Sequence, residues 1–277
     1  SMPDNSRFSS RCGLTFAVAG AFAAFLCHVP ADAATLMVGA GQQYKQPSDA
    51  ARAAHARDTV KIAPGTYFDC AVWTQNHLTI EGTASGVVLT DKACQGKALF
   101  VVHADDVIIR SITFQRARVP DGNGAGIRAE GINLTIENDK FLNNEEGILA
   151  GNNPTSSIII RDSVFEHNGA CRHGCAHGVY VGNIALLRIE NSRFFDTQVS
   201  HHIKSRAART ELVGNHIEDG PDGTASYEVD IPNGGALVMT GNVIEKGPNA
   251  ENHSAAVMIG EEGVSQPTPE LIFKDNV

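Results

Sequence analysis

Aromatic residues are scarce in this chain: one Trp, four Tyr and twelve Phe make up 6% of its 277 residues. A compact globular core leans on large rings. Their shortage, with 27 glycines, favours short stacked strands whose corners take small residues. Positive charge is also short. Twenty-two Lys and Arg stand against 31 Asp and Glu, for a net charge of −9 and no basic run. That balance excludes a binder of nucleic-acid backbones, and any polyanionic partner must meet a local cationic cluster instead. Long apolar stretches are limited to Leu14 to Leu26, thirteen residues and too few to span a bilayer, so no membrane partner is expected.

That run follows Arg7 and Arg11 and precedes Ala31-Asp32-Ala33, the layout of an export signal over residues 1–33. The expected location is secreted or periplasmic, with one domain over residues 34–277. Losing the signal removes two basic and two acidic residues and leaves the net charge at −9. Four cysteines remain, and an exported chain with an even number of them suggests disulfides, Cys70–Cys94 and Cys171–Cys175. The alternative at the second pair is zinc, since Cys171, His173, Cys175 and His177 fall within seven residues.

A repeat dominates the rest. Apolar or β-branched residues, a polar corner and a large apolar anchor recur in VIIRSITF (107–114), LTIENDKF (134–141), IIIRDSVF (158–165) and LRIENSRF (187–194). ELVGNHI (211–217) and VMTGNVI (238–244) continue the pattern. The anchors Phe114, Phe141, Phe165, Phe194, Ile217 and Ile244 lie 23 to 29 residues apart, a solenoid period. Leucine-rich repeats share the period, but each would place a helix after its strand. Here a second short strand follows instead: GIRAEG (126–131), GILAGN (147–152), GVYVGN (178–183), HIKSRA (202–207), EVDIPN (228–233) and AVMIGE (256–261). The expected fold is all-β, a right-handed single-stranded parallel β-helix of about nine coils. Asn, Asp, Ser and Gly fill the corners before the anchors, where they tolerate bends and can bond coil to coil.

An Ala-rich stretch with Ser48 as its N-cap predicts a short helix covering the first coil, whose first strand begins at Val60. At the other end ELIFKDNV (270–277) stops one residue short of the next anchor, and further coils are expected beyond it.

From about residue 35 onward the sequence resembles the pectin-lyase-like superfamily of parallel β-helices, on the helix followed by DTVKIAPGTY (58–67) and on the repeats. The resemblance implies a polysaccharide partner and a choice among lyases, hydrolases and non-catalytic modules. Side chains alternate along a strand. With Ile127, Ile148, Val179, Ile203, Val229 and Val257 inward, Arg128, Leu149, Tyr180, Lys204, Asp230 and Met258 face outward. The same reading turns His202, Glu228 and Arg206 outward and sets His177 and His201 one coil apart.

That constellation suits β-elimination on a uronate, which needs a base, a neutraliser of the carboxylate and an acid for the leaving oxygen. Lys204 or His202 is the candidate base, Arg206 or Arg128 the neutraliser and Tyr180 the acid, with His177 in the catalytic set. Arg128, Glu228, Asp230 and His201 are the candidate substrate-binding residues. Lys204-Ser205-Arg206 is similar to the Lys-Ser-Ser segment of alginate and chondroitin lyases, whose lysine is the base. Where that group has Arg-His-Gly, residues 230–235 read DIPNGG, so its catalytic arginine is missing. Glu228 and Asp230 offer a calcium site in its place. The hydrolase alternative rests on residues 177–182 and 202–204, similar to the His-Gly and Arg-Ile-Lys segments of polygalacturonases, with Glu145 and Glu146 as the carboxylate pair. A carbohydrate-binding module without catalysis would use the same face. A monomer is expected.

Overall fold

The computed structural model describes residues 32–277, so nearly all of the expected export signal lies outside the described residues. The chain winds through three parallel sheets. A long sheet of ten strands runs from Thr35–Val38 to Leu271–Lys274. An eight-stranded anchor sheet runs from Gly65–Tyr67 to Val243–Glu245, and an eight-stranded groove sheet from Ala71–Trp73 to Val257–Ile259. Strands adjacent within a sheet are one coil apart in sequence, the topology of a parallel β-helix. The winding starts earlier than the sequence suggested, because Thr35–Val38 already pairs with Thr59–Ile62. The helix spans Pro47–Ala53, with Gln46 rather than Ser48 as its N-cap: Pro47 takes the first helical position and the Ser48 N–H is given to Asp69.

The corners follow from residue type. Asn138, Asp162, Asn191, Gly214 and Gly241 all adopt positive φ, which Gly accepts freely and Asn and Asp accept more readily than other side chains. The next residue in each coil turns inward and accepts a backbone N–H from the coil before it. Asp139 takes the N–H of Ile112, Ser163 that of Asp139 and Ser192 that of Ser163. Asn215, Asn242 and Asn276 extend the column. These side chains therefore tie each coil to the next, although Asp139 Oδ2 is buried without a partner.

The anchors stack as the period requires. Phe114, Phe141, Phe165 and Phe194 are fully buried, with successive ring centroids 5.3, 4.6 and 4.4 Å apart and nearly parallel planes. Facing them is a glycine column. A Cβ on Gly126 would lie 2.8 Å from the Phe141 ring, and one on Gly147 would lie 3.0 Å from the Phe165 ring. Two coils further on, the anchors shrink to Ile217 and Ile244, and the same column enlarges to His202 and Glu228. Both are fully buried. Strict alternation had placed them outward, but the chain bends into the corner just before each groove strand, and the residue there points at the core.

His202 and Glu228 form a closed polar cluster with Asp219. His202 Nε2 lies 2.8 Å from Asp219 Oδ1 and its Nδ1 lies 2.8 Å from Thr197 Oγ1. Burial and the neighbouring Asp219 charge push the Glu228 carboxyl up to about 8, against the pull of Lys246. Glu228 therefore carries a proton at neutral pH. This arrangement removes His202 as a base and Glu228 as an outward substrate contact. It also separates Glu228 from the expected calcium pairing with Asp230, which lies on the opposite side of the strand.

Two outcomes are expected. Phe165→Ala opens the middle of the stack and should cost about 3–5 kcal/mol, read as a lower urea midpoint; a cost below about 1 kcal/mol would mean that the rings do not bear on stability. Glu228 is protonated more readily folded than unfolded, so its stabilising effect is complete below about 4.5 and is lost as pH rises towards 8. Glu228→Gln keeps the shape without the charge. Its urea midpoint should vary less over that window and exceed that of the unsubstituted protein at pH 8, and an unchanged pH slope would refute the assignment.

Candidate active site on the groove sheet

The outward row lies in register along the groove sheet: Arg128, Leu149, Tyr180, Lys204, Asp230 and Met258 pair in turn. The inward row Ile127, Ile148, Val179, Ile203 and Val229 is fully buried, as the alternation required. Period-two reading therefore gives the face correctly along the strand proper.

Tyr180, Lys204 and Arg206 form the centre. Arg206 Nε donates to Tyr180 Oη at 2.9 Å, and Lys204 Nζ stands 5.2 Å from the centre of the Tyr180 ring. Cations over an aromatic face are drawn to its negative quadrupole. Carboxylates hold both cations. Lys204 Nζ lies 3.9 Å from Asp230 Oδ2 and 3.7 Å from Glu262 Oε2, and Arg206 Nη2 lies 2.9 Å from the same Glu262 oxygen. Arg206 also donates to Asn233 at 2.6 Å. Burial pushes the Asp230 carboxyl up to about 6, although Lys204 opposes the shift, and its Oδ1 has no hydrogen-bond partner.

Beside this row runs a second column two residues before each inward side chain: Glu146, His177, His201 and Tyr227. Each of the first three accepts a backbone N–H from the next coil. Glu146 Oε1 takes that of His177 at 2.9 Å, His177 Nδ1 that of His201 at 3.0 Å and His201 Nδ1 that of Tyr227 at 3.0 Å. The rings stack, His177 on His201 at 4.9 Å and His201 on Tyr227 at 5.0 Å. Because both imidazoles accept at Nδ1, donor accounting puts their protons on Nε2. Burial, with added repulsion from Lys204, holds His177 well below the usual imidazole range and His201 down to about 3. Both are neutral donors, and neither serves as a base through Nδ1.

The remaining candidates separate. Arg128 lies two coils from Tyr180 with Leu149 between them, and its nearest acid is Glu130 at 3.8 Å. Glu145 is consumed by structure: it accepts from Val119 and Gly124 and pairs with Arg172 at 2.8 Å. Glu146 is buried, and burial pushes its carboxyl well above the usual range. Glu145 and Glu146 are thus not an equivalent pair. Cys171 and Cys175 are joined in a disulfide, as are Cys70 and Cys94, so the two sulfurs are not zinc ligands. Glu262 and Tyr227 were not foreseen. Tyr227 repeats the spacing of His177 and His201 before their strands and was legible on that ground. Glu262 sits on a turn between Gly260 and Gly263, outside the repeat, and carries no periodic signal.

A family described as the right-handed beta helix region matches residues 69–217, more than half of the chain. Among solved structures, Escherichia coli YbhC aligns with a TM-score of 0.56 and 14% identity over 87% of this chain and 76% of that one. The pectin methylesterase of Aspergillus niger aligns at 0.52 and 14% identity over 86% and 89% of the two chains. The rice weevil pectin methyl esterase gives 0.52 and 11% over 83% and 89%. Identities this low speak for the fold alone. No match is found among curated proteins. On the family match and the winding of its three sheets, the chain belongs to the right-handed β-helix family.

Proposed function

We propose that the protein is an exported polysaccharide lyase that cleaves a uronate-containing polymer by β-elimination on the groove sheet. The observation that carries this reading is Tyr180 on the outer face, with Arg206 donating to its hydroxyl at 2.9 Å and Lys204 Nζ 5.2 Å from the centre of its ring. Two disulfides support an oxidising compartment. Pectin, named for two of the solved neighbours, is itself a uronate polymer, which is compatible with this substrate class.

The roles shift from those the sequence suggested. Lys204 lies between Asp230 and Glu262 and is engaged by both carboxylates, so it fits the neutraliser better than the base. In this reading the uronate carboxylate displaces Glu262 and sits against Arg206 and Lys204, which acidifies the proton on the adjacent ring carbon. The Tyr180 oxygen takes that proton as its own hydroxyl proton passes to the departing oxygen. The carbon–oxygen bond to the next sugar breaks and a carbon–carbon double bond forms, which leaves Tyr180 as the neutral phenol it began as. Asp230 and His201 keep Lys204 in place, and His177 packs edge-on against the Tyr180 ring at 5.1 Å.

Tyr180→Phe should lower kcat by about 10²–10⁴ without loss of binding, measured as ultraviolet-absorbing unsaturated product from a panel of acidic polysaccharides. Lys204→Ala should chiefly raise KM. Release of reducing ends without that absorbance, abolished by Glu146→Gln, would replace elimination with hydrolysis, and retention of ligand with neither product would leave a binding module. Glu262→Gln removes the competing carboxylate and should lower KM a few-fold, given the usual worth of an exposed ion pair. A raised KM would make Glu262 a substrate contact instead.

A further inference from the structure

Tyr180 also borders a hollow on the side away from Lys204. Its walls are the loop Asp121–Asn123, the disulfide loop at His173, Gly174 and Cys175, and Glu146 and Leu149 of the preceding coil. Both loops are tied to one carboxylate. Arg172, from the disulfide loop, reaches Glu145 Oε2 at 2.8 Å and Val119 O at 2.9 Å, while Glu145 Oε1 takes the N–H of Val119 at 2.7 Å. The walls are thus built against the sheet rather than draped over it.

The character of this hollow is opposite to that of the neighbouring coils. Arg172 spends its charge on Glu145, and no Lys or Arg lines the space. Asp121 stands exposed at the rim. Glu146 is 1% exposed, and its Oε1 accepts the His177 N–H. Burial pushes its carboxyl well above the usual range, towards the form that can donate as well as accept. Leu149 and the Tyr180 ring add apolar surface. Apolar walls with a few convergent polar groups suit a sugar ring. A carboxylate entering here would lose its hydration beside the Asp121 carboxylate, with no Lys or Arg in the lining to offset it. Lys204 and Arg206, one coil further on, offer the reverse.

We propose that this hollow is a subsite for an uncharged glycosyl unit, so that the substrate places an uncharged sugar directly beside the uronate held by Lys204 and Arg206. The inference rests on the lyase reading and narrows it: the polymer is one of mixed charge, not a run of free uronates. Coils about 4.8 Å apart bring the two seats next to each other along one strand of polymer.

Calorimetric binding to the full chain tests this with four probes. Pectate and alginate carry a free carboxylate on every unit, whereas unsulfated chondroitin and half-methyl-esterified pectin intersperse uncharged units. The mixed-charge pair should bind about tenfold more tightly, the equivalent of one well-placed charge contact. Asp121→Lys, at an exposed position, should narrow or reverse that ratio. Equal or tighter binding of pectate and alginate overturns the inference and leaves the lyase reading standing. A mixed-charge preference that Asp121→Lys does not move overturns the assignment to this hollow. Failure of all four probes to bind overturns the lyase reading and the inference with it.

Discussion

Register between coils is the constraint on which the molecule depends, and it is enforced by more than strand pairing. At the corner before each anchor, Asp139, Ser163, Ser192, Asn215 and Asn242 accept a main-chain N–H from the adjacent coil. Beside the groove, Glu146, His177 and His201 do the same for the coil that follows. A slip of one residue would strand these acceptors in a dry interior, where an unmet polar group costs about 1–3 kcal/mol. Apolar stacking supplies much of the driving force, but it tolerates sliding. The side-chain acceptors do not.

The same columns set the electrostatics of the face. His177 and His201 are locked as neutral donors because their Nδ1 atoms are occupied, so the positive charge of the groove resides in Lys204 and Arg206. Each of these is held by acids, Lys204 by Asp230 and Glu262, Arg206 by Glu262. Opposite charges that already balance along the groove cost little to desolvate when one carboxylate replaces another. A protein of net charge −9 can in this way present a cationic seat without a basic surface.

Much of this was legible in the sequence, and the limits have physical causes. Anchors from Phe114 to Ile244 and the row from Arg128 to Asp230 follow from two periods, the coil and the pleat, and both hold wherever the chain is regular. The Cys70–Cys94 pair follows from coil spacing, and Cys171–Cys175 from the short loop that it closes. His202 and Glu228 were misplaced because alternation was carried one residue past the strand, into a corner where the pleat no longer applies. Thr35–Val38 was missed because its own coil runs into the helix Pro47–Ala53 and carries no corner and anchor of the repeat. Glu262 and the two loops that wall the Tyr180 hollow come from insertions between strands, and insertions carry no period from which their position could be read.

The glycine column opposite the phenylalanine stack links distant parts of the chain through shared volume. Where the anchor is Phe, the facing corner holds Gly126, Gly147 or Gly178, with no room for a side chain. Where it is Ile, the space admits an imidazole or a carboxyl group. Coils of this solenoid are therefore not interchangeable units. A coil duplicated or transplanted during evolution must bring both halves of its bargain, large anchor with bare corner or small anchor with filled one, and the boundary between the two kinds falls beneath the proposed catalytic residues.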